Sequence, residues 1–80
     1  MNVTVYSQPA CQPCRATKRL LEAEGIPFVE VDTSTDPDVA AALIALGHTT
    51  SPVVTVTDGE SVQDQRWEGF RPDRIRALKA

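Results

Sequence analysis

Both cysteines of the chain lie in one short motif, Cys11-Gln12-Pro13-Cys14. The preceding segment, Val3–Tyr6, is β-branched and aromatic, which predicts a buried strand. The following segment, from about Pro13 to Glu24, has apolar residues at helical spacing and predicts an amphipathic helix that ends at Gly25. Proline is compatible with this helix only in its first turn, where the missing N–H has no partner to lose. The motif therefore restricts the fold to one in which the cysteines join a strand to the start of a helix.

The rest of the chain alternates between the same two kinds of element. Ile26–Val31 predicts a second strand, parallel to the first because a helix connects them. Asp36 as N-cap and Pro37 in the first turn predict a second helix that continues to Gly47. The remaining predicted elements are a strand, a returning edge strand after an Asp58-Gly59 turn, and a closing helix: Val53–Thr57, Ser61–Trp67 and Pro72–Lys79. The order β-α-β-α-β-β-α predicts one α/β domain over residues 1–80, a four-stranded mixed sheet flanked by three helices, as in the minimal thioredoxin fold.

Charge and hydropathy exclude several classes of function. Eight Lys and Arg against eleven Asp and Glu give a formal net charge of −3, whereas a nucleic-acid-binding protein would carry a basic surface. No apolar run approaches the roughly 20 residues that span a bilayer. Residues 1–5 resemble neither a basic leader nor a secretory cleavage site. We therefore expect a cytoplasmic protein without a nucleic-acid or membrane partner.

The spacing of the two cysteines suits dithiol chemistry. A dithiol carrier needs one thiolate that attacks a disulfide and a second thiol that resolves the mixed disulfide. Unpaired N–H groups and the positive end of the dipole at a helix N-terminus lower the pKa of a thiol placed there. Cys11 lies at that start, so we predict that it attacks. Cys14 lies one turn further, nearer the core, so we predict that it resolves.

Two other interpretations of the pair remain open. An inert disulfide would close so short a loop that its stabilisation is only about 2 kcal/mol on the chain-entropy estimate. A zinc site would need further ligands, since zinc usually takes four, and His48 is the only other nitrogen ligand in the chain. A strand before the motif and a helix after it favour the redox interpretation.

Beyond this motif, the sequence resembles a known family over nearly its whole length. Thr4–Cys14 resembles the opening of a glutaredoxin, and Trp67–Asp73 (W-E-G-F-R-P-D) resembles the most specific segment of the NrdH-type redoxins. Four shorter matching segments are Ala16–Leu20, Gly25–Phe28, Ala45–Gly47 and Pro52–Val54. The resemblance implies that thioredoxin reductase reduces the protein and that the large subunit of class Ib ribonucleotide reductase receives its electrons. We expect no metal, no cofactor beyond the redox-active Cys11–Cys14 disulfide, and a monomer.

The resemblance also implies a docking surface around the cysteines. In this fold a cis proline precedes the third strand and faces the C-x-x-C motif, and Pro52 falls at that point. The backbone of Ser51 would then be open to pair with an extended, cysteine-bearing segment of a substrate. The residues that we expect to contact substrate or partner are Gln8, Gln12, Pro13, Thr50, Ser51, Pro52, Trp67, Gly69, Phe70 and Arg71.

The closing segment separates two functions of the family. Glutaredoxins hold glutathione partly with a Gly-Gly-x-Asp-Asp-type turn at the start of the last helix. Here Gly69–Asp73 has bulky residues in that turn and a proline without an N–H, which predicts weak glutathione binding. The alternatives are a glutathione-dependent glutaredoxin that reduces mixed disulfides, and a cluster-binding module that uses both cysteines across a dimer.

Several side chains have two interpretations at this stage. Gln8 replaces a lysine that is usual in the family, and Arg15 either substitutes for that cation or lies on a solvated helix face. We expect His48 to be a surface residue rather than a proton relay, and Trp67 to pack mainly in the core. Phe70 either packs against the fold or forms an apolar patch near Cys11 on which a reductase docks.

Overall fold

The computed structural model describes residues 2–57 and 65–78. Its four strands are β1 (Asn2–Ser7), β2 (Val29–Asp32), β3 (Val53–Thr57) and β4 (Gln65–Glu68). Its helices are α1 (Gln12–Ala23), α2 (Pro37–Ala45) and α3 (Pro72–Ala77), and a 3-10 turn at Thr33–Thr35 precedes α2. The predicted order of elements is therefore confirmed. The Asp58-Gly59 turn, the predicted start of the edge strand at Ser61 and the predicted helix end at Lys79 lie outside the described residues.

The sheet has the strand order β2-β1-β3-β4. β1 runs parallel to β2, with Val5 opposite Glu30, and antiparallel to β3, with Val5 opposite Val54. β3 pairs antiparallel with β4, so that Val53 lies opposite Glu68. The mixed four-stranded sheet of the thioredoxin fold is thus confirmed, with β4 at an edge as its polar sequence predicted. Because two parallel strands have their carboxyl ends at the same edge of a sheet, the last residues of β1 and β2 lie side by side, next to the cysteines.

The core lies between the sheet and the helices α1 and α3, which contact each other. Leu21 of α1 and Ile75 of α3 are fully buried in it. The other buried members of this cluster are Val3, Val5, Ile26, Val54, Val56 and Trp67. None of the residues of α2 is buried, although its sequence is largely apolar, and its apolar Ile44 is exposed. The helix α2 contacts the 3-10 turn before it rather than adding to this core.

The second strand begins at Val29, three residues later than predicted. The cause is the way in which α1 ends. Gly25 has a φ of 69°, and the N–H groups of Gly25 and Ile26 donate to the carbonyls of Glu22 and Leu21 at 3.0 and 2.9 Å. This Schellman arrangement uses Ile26 to close the helix and to fill the core, so Ile26 cannot pair in the sheet.

None of the helices in the described part of the chain is long and apolar enough to cross a membrane.

Candidate redox site

Cys11 is the N-cap residue of α1, with extended backbone angles (φ −110°, ψ 107°). Its Sγ accepts a hydrogen bond from the N–H of Cys14 at 3.2 Å. Ala10 immediately before it has a φ of 57°, a left-handed conformation that is rare for a residue with a side chain and that sequence reasoning did not identify. The chain thus turns abruptly from the loop into the helix. The result is the placement predicted for Cys11, with a backbone donor directed at the sulfur, where it stabilises negative charge after reduction.

The two cysteines form a disulfide, with their Cα atoms 5.2 Å apart. Cys11 is 8 % exposed, whereas Cys14 is 1 % exposed. Gln12 and Pro13, between them, are exposed. Cys11 is therefore the more accessible of the two residues, and the order of attack and resolution stays a prediction.

A polar cavity lies beside the disulfide, and sequence reasoning missed the polar side chains that line it. Both cysteines line it, together with Ser7, Lys18 and Glu30. Glu30 Oε2 accepts hydrogen bonds from Lys18 Nζ at 2.6 Å and from Ser7 Oγ at 2.7 Å. The hydrogen bond from Lys18, then that from Ser7, holds the pKa of Glu30 below its usual range. A carboxylate whose negative charge is balanced by Lys18 therefore lies beside the disulfide. The parallel register of β1 and β2 is the signal that could have located it.

The structure gives Arg15 a position in the same cavity. Its side chain is exposed, and among residues 2–57 and 65–78 it makes no ion pair, whereas Lys18 is paired with Glu30. Gln8, the residue that replaces the usual lysine, lines this cavity too. Arg15 therefore supplies an unpaired cation to the site from which the lysine at position 8 is absent.

On the other side of Gln8 lies a groove formed by the loop after α2. Gln8 contributes to this groove as well as to the polar cavity, and Thr50 and Ser51 also line it. The peptide bond between Ser51 and Pro52 is cis, as the resemblance implied. The side chain of Pro52 is fully buried, and its carbonyl accepts a hydrogen bond from the N–H of Gly69 at 2.8 Å. The structure thus brings Gln8, Thr50 and Ser51 together in this groove, and Gln8 connects the groove to the cavity that contains Cys11. The remaining two predicted contact residues of this region, Pro52 and Gly69, are joined by a backbone hydrogen bond.

The last strand, β4, and the segment after it contain the other three predicted contact residues. Trp67 is buried in the core, as its packing interpretation predicted, and the Arg74 guanidinium lies 5.5 Å from the centre of its ring. Phe70 is 40 % exposed. Arg71 is exposed, and its Nε and Nη2 donate to the two carboxylate oxygens of Asp73 at 3.3 and 3.2 Å. Of these side chains, Phe70 and Arg71 are accessible to a partner and Trp67 is not.

The expectation that His48 is a surface residue is wrong. Its side chain is only 13 % exposed, and its Nδ1 lies 3.0 Å from Oε1 of Glu68. Thr50 Oγ1 donates to the other oxygen of the same carboxylate, Oε2. The hydrogen bonds from Thr50 and then from His48 hold the pKa of Glu68 below its usual range. Sequence reasoning missed Glu68, which only the pairing of β3 with β4 brings next to the loop.

Within the described residues, no group of three or more His, Cys, Asp or Glu side chains is arranged to hold a metal ion. Glu68, the carboxylate nearest His48, instead accepts hydrogen bonds from protein groups.

Comparison with known proteins agrees with this geometry. A sequence model of the Glutaredoxin family matches residues 3–62. The chain is 40 % identical over 78 residues to the glutaredoxin-like protein NrdH of Salmonella typhimurium, covering 98 % of this chain and 89 % of that protein. It is 32 % identical over 76 residues to the glutaredoxin-like protein NrdH of Lactococcus lactis subsp. cremoris, covering 95 % and 97 % of the two chains.

A solved structure of NrdH-redoxin from Escherichia coli superposes with a TM-score of 0.87 at 38 % identity, covering 98 % of this chain and 95 % of that one. That protein is described as glutaredoxin-like with a thioredoxin-like activity profile. A C-x-x-C disulfide at the start of a helix is, in such proteins, the reactive group of a thiol–disulfide oxidoreductase. The chain therefore belongs to the glutaredoxin family and, within it, to the NrdH-like redoxins.

Proposed function

We propose that the protein is a dithiol electron carrier that thioredoxin reductase reduces and that donates electrons to the large subunit of class Ib ribonucleotide reductase. The chemistry rests on the Cys11–Cys14 disulfide and on the N–H of Cys14 directed at the sulfur of Cys11, the more exposed residue of the pair. The assignment of partners is supported by the NrdH-like sequence over nearly the whole chain. We also propose that the carrier works as a cytoplasmic monomer.

The two cysteines take different roles in the reaction. In the reduced protein, the Cys11 thiolate attacks one sulfur of a target disulfide, and the other target sulfur leaves as a thiolate that takes up a proton. Cys14 then gives up its proton and attacks Sγ of Cys11. The Cys11–Cys14 disulfide forms, and the second target sulfur leaves. Two electrons have passed to the target, and the reductase returns two electrons to the carrier by the same exchange in reverse.

The start of α3 favours this proposal over glutathione-dependent activity. Arg71 is the N-cap residue of α3 and makes no side-chain capping hydrogen bond, and Pro72 follows it without an N–H. The carboxylate of Asp73 accepts two hydrogen bonds from Arg71. The donors and the free carboxylate that would engage a tripeptide are therefore reduced in number at this turn.

Two coupled assays that follow NADPH consumption test the proposal. In one, thioredoxin reductase reduces the oxidised protein; in the other, glutathione and glutathione reductase do so. We expect rapid turnover with thioredoxin reductase and little with glutathione. Turnover with glutathione alone would overturn the proposal in favour of a glutaredoxin activity. Turnover with thioredoxin reductase makes class Ib ribonucleotide reductase the acceptor to test next, with dithiothreitol as the reference electron donor.

A further inference from the structure

One carboxylate holds two residues of the loop that leads into Pro52. Glu68, the last residue of β4, binds His48 through Oε1 and Thr50 through Oε2. A carboxylate only accepts hydrogen bonds, so both loop side chains are donors here. We call these three side chains the loop clamp. His48 and Thr50 precede β3, whereas Glu68 ends β4, so Glu68 is distant in the chain from the two loop residues.

Backbone contacts on either side of the clamp fix where its members lie. After the end of helix α2 at Ala45, Gly47 has a φ of 93°, and the N–H of His48 donates to the carbonyl of Leu43 at 3.0 Å. This Schellman arrangement fixes the direction in which the chain leaves the helix. At the other end, the Gly69 N–H donates to the Pro52 carbonyl. Between these two points the loop borders the groove, and the hydrogen bonds of its side chains to Glu68 attach it to β4.

The clamped loop forms a wall of the groove next to the redox site. Thr50 and Ser51 line that groove together with Gln8. Gln8 also lines the cavity that contains Cys11 and Cys14. A shift of the loop therefore changes the surface that a protein substrate meets on its way to Cys11, while the sulfur atoms themselves remain in place.

We propose that Glu68 is a positioning residue for exchange with protein disulfides: through His48 and Thr50 it holds the loop in the geometry that docks an extended substrate segment. The inference rests on the disulfide exchange proposed above, but not on the identity of either partner. The carboxylate is 35 % exposed and lies at the sheet edge, so its removal leaves the core intact. Small disulfides, which need no docking segment, bypass this contribution.

The test compares a protein disulfide with a small one. Reduced wild-type protein and reduced Glu68→Ala are mixed with insulin and, separately, with dithiobis(nitrobenzoate), and second-order rate constants are measured. We expect Glu68→Ala to lower the ratio of the insulin rate to the small-disulfide rate by about three- to tenfold, the effect of losing hydrogen bonds of ordinary strength. Because a small disulfide needs no docking segment, its rate constant should change by less than about twofold.

Two further variants separate positioning from a general effect. In Glu68→Gln the amide oxygen can still accept from His48 Nδ1, and the amide NH₂ can donate to the Thr50 hydroxyl, so we expect the rate ratio to recover. Glu22→Ala, on the exposed side of α1, is the matched control and should leave the ratio unchanged. Thermal unfolding of each variant verifies that it is folded under the assay conditions.

Three results would overturn the inference. An unchanged ratio in Glu68→Ala would show that the loop does not need the clamp. Equal loss of both rates would show a general structural effect, and loss of the ratio in Glu68→Gln to the level of Glu68→Ala would exclude positioning by these hydrogen bonds. If the wild-type protein reduced neither disulfide, the proposed function would fail together with this inference, whereas in the other cases the function stands.

Discussion

The exposed part of Phe70 predicts how strongly this residue contributes to docking of the reductase. A phenylalanine side chain offers roughly 200 Å² of surface, and 40 % of Phe70 is exposed. A partner that covers this part removes about 80 Å² of apolar area from water, worth about 2 kcal/mol at 25 cal/mol per Å². The predicted consequence of Phe70→Ala is a rise of up to about 30-fold in the KM for thioredoxin reductase.

The position of Phe70 explains why docking should depend on it. The preceding residue, Gly69, donates its N–H to the carbonyl of Pro52. Phe70 is thereby attached to the segment that contains Ser51, which lines the groove that Gln8 connects to the cavity of Cys11. We therefore expect the proposed reductase to cover Phe70 when it reaches Cys11.

The assay measures KM and kcat for thioredoxin reductase with wild-type protein, Phe70→Ala and a control, Val29→Ala. Val29 is also a largely exposed apolar residue. Val29 pairs with Thr4, and Thr4 lies three residues before the end of β1, after which the chain leads to the cysteines. Val29 is therefore roughly 10 Å from that end of the strand. We expect Val29→Ala to leave KM unchanged. If Phe70→Ala lowered the free energy of unfolding while KM stayed the same, the docking role would be refuted and Phe70 would be a packing residue.

Three other perturbations have defined outcomes. Cys14→Ser should accumulate a mixed disulfide between Cys11 and a target, visible on a non-reducing gel, whereas Cys11→Ser should form none. Ile75→Ala, which removes a fully buried side chain, should lower the free energy of unfolding by about 2–5 kcal/mol in chemical denaturation. Because the Lys18 and Ser7 hydrogen bonds lower the pKa of Glu30, its contribution to stability is present above the ordinary glutamate value, about 4.3, and is lost as the pH falls through the lower folded value. The stability difference between wild-type protein and Glu30→Gln should therefore shrink between pH 7 and pH 3, and a difference that stays constant would contradict this assignment.

Local patterns in the sequence were enough to predict the elements and the chemistry of the cysteines. The β-branched residues around Val5, the Asp36-Pro37 start of α2 and the C-x-x-C spacing are determined by neighbours in the chain, so they can be recognised without knowledge of the fold. The error at Ile26 has a local cause too. Gly25 signalled a helix end, but a glycine alone does not reveal that the next residue closes the helix and fills the core instead of opening a strand.

The parts of the site that were missed depend on strand register. Glu30 looks like an ordinary polar residue of an edge strand until the parallel pairing places it opposite Val5 and within reach of Ser7. His48, at the end of a helix, has the composition of a surface loop. Its side chain is nevertheless mostly buried, and it contacts Glu68 because β4 places that residue opposite Val53.

The same register explains why a polar loop can precede Pro52 in this chain. The segment His48–Ser51 consists of polar residues, and polar side chains provide little apolar packing to hold a loop in place. The carboxylate of Glu68 compensates by accepting hydrogen bonds from two of its residues. Either side of this contact alone would leave donors or an acceptor without these partners, so we expect the contributions of His48 and Glu68 to be coupled. A double-mutant cycle between His48 and Glu68, with the insulin-to-small-disulfide rate ratio as its readout, should give a coupling clearly different from zero, and additive effects would show that the two residues act independently.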